Sequence, residues 1–381
     1  MCIRDRPSSS VETLNYNIKI LTDSVSPGSS SGSKFIPDEN YKILFRTSNP
    51  VNSFVYSGVL IEMNTDTDLD GVVAGAILKR YWKDAEIIFT QPGQLRSGKL
   101  DEKIDIYTAI CDLPYRANCG LNIDHHQSNK PDKDLDIEGI MAWEDSPSAS
   151  RIAYNIMSTE LDLTDLNELL LWVDKFDSGN ISKEEYLSEN NVLWLGRIIA
   201  DDSKIALHIL KLLENGLSVN TILKDDSIMP LLFEKKKEQH KIMEIIRDKM
   251  KIINRLAIVN FEGYGIRSNG YSITAMAGNE CDACIVIHGN LGASFQDYPK
   301  YPVSASFYTN SFLHKKGGIY DLTKLAKRFD SEGGGHPNAC GCRIKIIEKQ
   351  KSNKRKMNKK DIDDNLNEWI RMWSENILNY L

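Results

Sequence analysis

Between residues 54 and 190, short apolar runs alternate with longer helical stretches. The runs at 59–63, 86–90, 104–111 and 121–123 have strand length, and 72–78 reads as a buried helix. This alternation predicts a mainly parallel sheet flanked by helices. Residues 191–254 read as a helical connector. It ends in one long helix over 229–253, where apolar residues recur at helical spacing among Lys, Glu and Arg. Strands return at 256–259, 284–287, 303–308 and 342–347, marking a smaller C-terminal α/β domain over 255–348. Residues 1–40 hold a Ser/Gly tract and little periodicity, which predicts disorder. The last segment, 349–381, opens as a basic linker. It continues as an amphipathic helix with Asp361 as candidate cap and Trp369, Ile370, Trp373, Ile377 and Leu378 along one side. That stripe needs a surface to cover.

Composition narrows the function classes. A chain of 381 residues has room for two domains. Its net charge of −6 argues against a protein that coats long nucleic acid, although bound cations can still recruit a small phosphate substrate. No apolar run reaches membrane-spanning length and the N-terminus lacks an apolar signal core, so a cytoplasmic protein without membrane association is expected. Seven cysteines, mostly within strand-like runs, suit a reducing compartment. Cys281 and Cys284 together with Cys340 and Cys342 raise a zinc site, but Cys284 opens a strand, and small buried thiols are the plainer reading.

The chemistry is concentrated in the acidic residues. Asp66, Asp68 and Asp70 alternate in NTDTDLDG, between a strand and a helix. Carboxylates this close repel one another unless a cation holds them. A calcium loop of the EF-hand type would need a bidentate Glu at its twelfth position, and that position is Ile77. Further candidates end later runs: Asp112 after 107–111, Asp124, His125 and His126 after 121–123, and Asp174 and Asp177 at the end of a helical stretch. A lone strand-end Asp usually caps the next helix. Several carboxylates with imidazole at successive strand ends instead predict a cation centre at the carboxyl edge of the sheet. Oxygen-rich donors without thiolate favour Mn²⁺, with Mg²⁺ second, over structural zinc. Two such ions clamp the attacking and leaving oxygens in phosphate ester hydrolysis.

In this order, Asp66-Thr-Asp68-Leu-Asp70-Gly71, Asp112, Asp124-His125-His126 and Asp177 resemble the four-motif signature of the DHH phosphoesterases. Gly333-Gly334-Gly335-His336-Pro-Asn-Ala339-Cys-Gly341 resembles the GGGHxxAxG motif of their DHHA1 domain. The resemblance covers about 55–348 and implies an oligoribonuclease-like or RecJ-like enzyme in which 54–190 is the DHH domain and 255–348 the DHHA1 domain. It implies that Asp66, Asp68, Asp70, Asp112, His125 and Asp177 ligate two divalent ions, with Asp112 bridging and Asp174 as the alternative fourth-motif ligand. Asp124 would orient His125, while His126, Gly333, Gly334, Gly335, His336 and Arg328 would meet the substrate. Position 66, often His in this family, is Asp here, which adds negative charge and bears on metal choice. The implied substrate is a short oligonucleotide or small nucleotide. A cyclic-dinucleotide or nucleotide bisphosphate phosphodiesterase is the alternative, and a degenerate nucleic-acid-binding scaffold is the non-enzymatic one. The basic tail and terminal helix leave a homodimer interface open.

Overall fold

The computed structural model describes residues 43–46, 53–56, 62–65, 68–98, 100–131, 139–200, 202–294, 301–347 and 355–378. The expected N-terminal disorder, the run 59–61, Asp66 and most of the basic linker lie outside them. The chain divides into two compact units, 1–178 with 189–235, and 179–188 with 236–381.

In the first unit, β1 (Ile43–Arg46) and β2 (Ser53–Tyr56) form an antiparallel pair. The main sheet has five strands: β3 (Glu62–Thr65), β4 (Glu86–Phe89), β5 (Thr108–Cys111), β6 (Leu121–Asp124) and β7 (Ile140–Trp143). Their order is β4-β3-β5-β6-β7, every pair parallel. The chain leaves β3 toward one edge, through α1 (Leu69–Tyr81), and from β4 crosses back to β5 on the other side. The strand order therefore switches between β3 and β5, where parallel sheets open a crevice at their carboxyl ends. The acidic turn after β3 and Asp112 after β5 both fall there.

α1 is the buried helix that 72–78 predicts. Val72, Val73, Ala74, Ala76, Ile77 and Leu78 are all shut off from solvent, because both of its sides are covered. After the short α2 (Pro92–Arg96), α3 (Ala149–Met157) and α4 (Asn167–Asp177) join that core. α6 (Asn191–Ile199), α7 (Ser203–Glu214) and α8 (Val219–Ile222) do too, so residues assigned to a connector build the first unit. The run 104–111 is a strand only from Thr108, since a 3₁₀ turn over Asp101–Lys103 occupies the approach.

The second unit takes in the short α5 (Lys183–Tyr186) and the C-terminal half of α9 (Met229–Lys249). The long helix is thus real but stops at Lys249, because Lys251–Ile253 turns into strand β8. With β9 (Leu256–Asn260), β10 (Ala283–His288), β11 (Ser304–Thr309), β12 (Gly334–His336) and β13 (Ala339–Arg343) it forms a mixed sheet ordered β12-β13-β11-β10-β9-β8. α9 and α10 (Gly270–Ala277) supply the core on one face. α11 (Thr323–Ala326) and α12 (Lys359–Leu378) supply it on the other.

The terminal stripe finds its surface here. Trp369 stands edge-on to Phe307 with centroids 5.1 Å apart, and Trp373 donates its indole N–H to the Asn254 carbonyl at 2.8 Å. The cap is Asn358, which accepts from Lys360 N at 2.9 Å, while Asp361 reaches back to Asn358 N at 2.8 Å from the third helical position. The last strand begins at Ala339 rather than at 342, since Ala339 and Cys340 already pair with Tyr308 and Phe307. Cys281 and Cys284 enter one core cluster and Cys340 and Cys342 the other, so the four thiols do not converge on zinc.

Candidate metal centre and glycine hairpin

Asp68 caps α1, its carboxylate accepting from Gly71 N at 2.9 Å. That cap leaves Asp70 in the first helical turn, pointing inward and 2 % exposed. Asp70 is then gripped by the start of α3: its two oxygens accept from Ala149 N and Ser150 N, both at 2.7 Å. Burial first, and the charge of Asp68 second, lift its pKa to about 7. Two backbone donors at a helix N-terminus offset part of that cost. The Ser150 side chain adds a further hydrogen bond to the same carboxylate.

Asp112 follows β5 with φ +57, a left-handed backbone that few side chains adopt. Its N–H still reaches Ile123 O at 2.8 Å, so the sheet register holds the turn. Burial, then the charges of Asp70, Asp68, Asp177 and Asp124, push its carboxyl well above the usual range. His125 lies under it, fully buried, with Nδ1 3.2 Å from the Ser146 carbonyl. That carbonyl fixes the hydrogen on Nδ1 and turns Nε2 toward Asp177 Oδ2 at 3.2 Å, Asp112 Oδ1 at 3.4 Å and Asp70 Oδ2 at 3.6 Å.

Asp124, expected to orient His125, meets it through the backbone and not the ring. Its Oδ1 accepts from the backbone N–H groups of His125 and His126, at 2.7 and 3.0 Å, and from His126 Nδ1 at 2.8 Å. Oδ2 accepts from Asn129 at 2.7 Å. Asp124 therefore shapes the turn and aims His126. Of the fourth-motif pair, Asp177 joins the cluster and Asp174 does not. Asp174 accepts from Ser148 Oγ at 2.7 Å and from Arg151 at 2.9 and 2.5 Å, tying α4 to the start of α3.

Two overlapping groups can hold cations, Asp70 with His125 and Asp177, and Asp112 with His125 and His126, their ligand atoms within 4.8 Å of one another. The donors fit an ion: Asp112 Oδ1 and His125 Nε2 are buried and lack hydrogen-bond partners, an arrangement that costs about 1–3 kcal/mol for each such atom. His126 Nδ1 is already taken by Asp124, which favours Asp70, Asp112, His125 and Asp177 as the ligand set. Asp68 borders them, its charge felt at Asp70 and Asp112. Sequence reasoning missed the Ser146 carbonyl and the N–H groups of Ala149 and Ser150. The run Ser146-Pro-Ser148-Ala-Ser150 before a helix is a cap signature that pointed to them.

In the second unit the glycine motif is a hairpin arm, with Gly334 paired to Gly341 and His336 to Ala339. Gly333 is demanded by packing, since a Cβ there would lie 2.5 Å from Ala326 O. Gly335 has φ +135, a conformation open essentially to glycine alone. Gly334 has room, its nearest neighbour being Lys327 Cε at 3.7 Å from a built Cβ. His336 Nδ1 accepts from Asn338 N at 3.2 Å, which places the ring hydrogen of the neutral form on Nε2. Arg328 donates to Glu368 on α12 at 2.8 Å, which tethers that helix.

No protein-family model and no curated protein matches the chain. Solved structures do. A pGpG-specific phosphodiesterase, PggH from Vibrio cholerae, superposes with a TM-score of 0.65 at 20 % identity, over 83 % of this chain and 99 % of that one. The DHH domain of a member of the s1p family of ribosomal proteins gives 0.49 at 11 % identity, over 82 % and 87 %. RecJ from Thermus thermophilus in complex with Mn²⁺ gives 0.47 at 12 % identity, over 82 % and 52 %. At such identities the likeness is one of fold. The chain shares the fold of the Vibrio cholerae phosphodiesterase.

Proposed function

We propose that the protein is a divalent-metal-dependent phosphodiesterase that hydrolyses short oligonucleotides to mononucleotides. The observation that carries this reading is the convergence of Asp70, Asp112 and Asp177 on His125 Nε2, at 3.2 to 3.6 Å, at the switch point of a parallel sheet. Asp66, Asp68, Asp70, Asp112, His125 and Asp177 would hold two ions, Mn²⁺ in preference to Mg²⁺. Bound there, the ions supply Lewis-acid stabilisation of the phosphoryl oxygens and a water acidic enough to ionise near neutral pH.

The chain's own residues do the positioning. The start of α3 locks Asp70, and the Ser146 carbonyl locks His125, so neither needs to reorganise when the substrate arrives. Asp124 holds His126 in one orientation, from which its Nε2 meets the substrate phosphate. The glycine hairpin and His336 of the second unit offer bare backbone and an imidazole, groups that suit a nucleotide phosphate. An acidic protein suits substrates of a few nucleotides, and the Vibrio cholerae protein of this fold is a pGpG-specific phosphodiesterase, pGpG being a linear dinucleotide.

The test is a Mn²⁺-dependent assay across linear dinucleotides, longer single strands, cyclic dinucleotides and pyrophosphate, with products identified. The reading predicts fastest turnover of the linear dinucleotides. Faster turnover of cyclic dinucleotides or of long strands would overturn it.

A further inference from the structure

One face of the second sheet carries a row of polar groups. His288 at the end of β10 pairs with Ser304 on β11, and Ser306 and Tyr308 follow on the same face. Gly341 and Ala339 of β13 lie opposite Ser306 and Tyr308, and Gly334 and His336 of β12 extend the row. On the opposite face Ile285, Ile287, Ala305 and Phe307 enter the apolar core.

Arg267 borders this row. It is exposed, three residues before the first turn of α10, and its guanidinium lies over the Tyr301 ring at 5.3 Å. The Tyr301 hydroxyl donates to Ile266 O at 3.1 Å, so ring and loop are fixed together. The Tyr301 ring in turn lies 6.0 Å from that of His288. Arg255, Arg328, Arg343, Arg355 and Arg371 of this unit each meet a carboxylate. Among the described residues none pairs with Arg267. His288 does not compensate it, being 2 % exposed with Nδ1 lacking a partner. Burial, and then the charge of Arg267, hold its pKa down at about 4, so it is neutral at physiological pH. The same charge is felt at Tyr308, whose hydroxyl bonds Ser306.

A guanidinium without an acidic partner among the described residues, at the edge of a row of serine hydroxyls, matches the oxygens of a phosphate monoester. A long strand would need cations in series, and this row offers one guanidinium with two imidazoles. We infer that Arg267 anchors a terminal phosphate of the substrate on the Ser304 and Ser306 face of the second sheet. The inference rests on the phosphodiesterase reading and names its substrate class: a short nucleotide that carries a terminal phosphate.

The test compares pGpG with GpG in Mn²⁺, using wild type, Arg267→Ala and Arg267→Lys, with GMP binding measured by calorimetry alongside. The wild type should favour pGpG through a KM about tenfold lower, the worth of one charge-assisted contact. Arg267→Ala should collapse that ratio to about one and weaken GMP binding about tenfold, and Arg267→Lys should recover part of both. An unchanged ratio and unchanged GMP affinity in Arg267→Ala would overturn the inference. Should neither dinucleotide be cleaved by any variant while Arg267→Ala still loses GMP, the reaction assigned above falls and the phosphate site stands.

Discussion

Asp124 holds His126 Nδ1 at 2.8 Å and leaves the His125 ring to the carbonyl of Ser146. The two adjacent imidazoles are therefore oriented by different partners. Asp124→Asn disturbs His126 and the turn but not the bond that directs His125 Nε2. We predict that kcat falls about ten- to a hundredfold while Mn²⁺ affinity stays near wild type. Calorimetric Mn²⁺ titration beside steady-state kinetics checks this. Affinity lost with kcat preserved would show that Asp124 works through His125.

Asp174 and Asp177 lie one helical turn apart and should separate cleanly. Asp177→Asn removes a carboxylate 3.2 Å from His125 Nε2 and should weaken Mn²⁺ binding about tenfold or more. Asp174→Ala strands Arg151 and Ser148 and should lower stability by about 1–3 kcal/mol, read as a shifted urea midpoint. Weaker metal binding in Asp174→Ala than in Asp177→Asn would reverse the assignment.

The three glycines of the hairpin differ in what they tolerate. Gly333→Ala forces a Cβ to 2.5 Å from Ala326 O and should cost about 1–3 kcal/mol. Gly334→Ala meets nothing closer than 3.7 Å and should leave the melting temperature nearly unchanged while raising KM for the dinucleotide. Equal KM values for Gly334→Ala and wild type would remove this backbone from the substrate site.

Arg371 first, and Arg328 second, hold the Glu368 carboxyl at about 2 in the fold against an ordinary value of 4.5. A lowered folded pKa gives stability that is complete above 4.5 and is lost as pH falls toward 2, because the unfolded chain takes up the proton first. The wild type should therefore lose urea resistance between pH 4.5 and 2 more steeply than Glu368→Gln. Parallel slopes would mean that the tether of α12 contributes nothing.

Much of this fold was legible in the sequence because its strands are short apolar runs and α1 is apolar on every side. The boundaries that shifted did so for local reasons. The strand expected from 342 starts at Ala339 because Ala, Cys and Gly carry little strand signal of their own and are placed by pairing with β11. The order of Asp112, Asp124, His125 and Asp177 along the chain pointed to one cluster. Which imidazole Asp124 serves did not follow, since it depends on a backbone carbonyl, Ser146 O, 21 residues away. Arg267 was invisible for the same reason. Among the described residues it has no acidic partner in space, which no spacing records.

The central claim is that the buried cluster exists to hold cations, and Asp112→Asn tests it most directly. Asparagine tolerates the left-handed backbone at φ +57, so the substitution removes charge without unfolding the turn. Equilibrium Mn²⁺ titration of wild type should show two ions per chain and a stability gain of about 2.7 kcal/mol at a hundredfold excess over Kd. Asp112→Asn should lose most of that gain together with dinucleotide hydrolysis. Full Mn²⁺ binding and full turnover in Asp112→Asn, with the fold intact, would contradict the account.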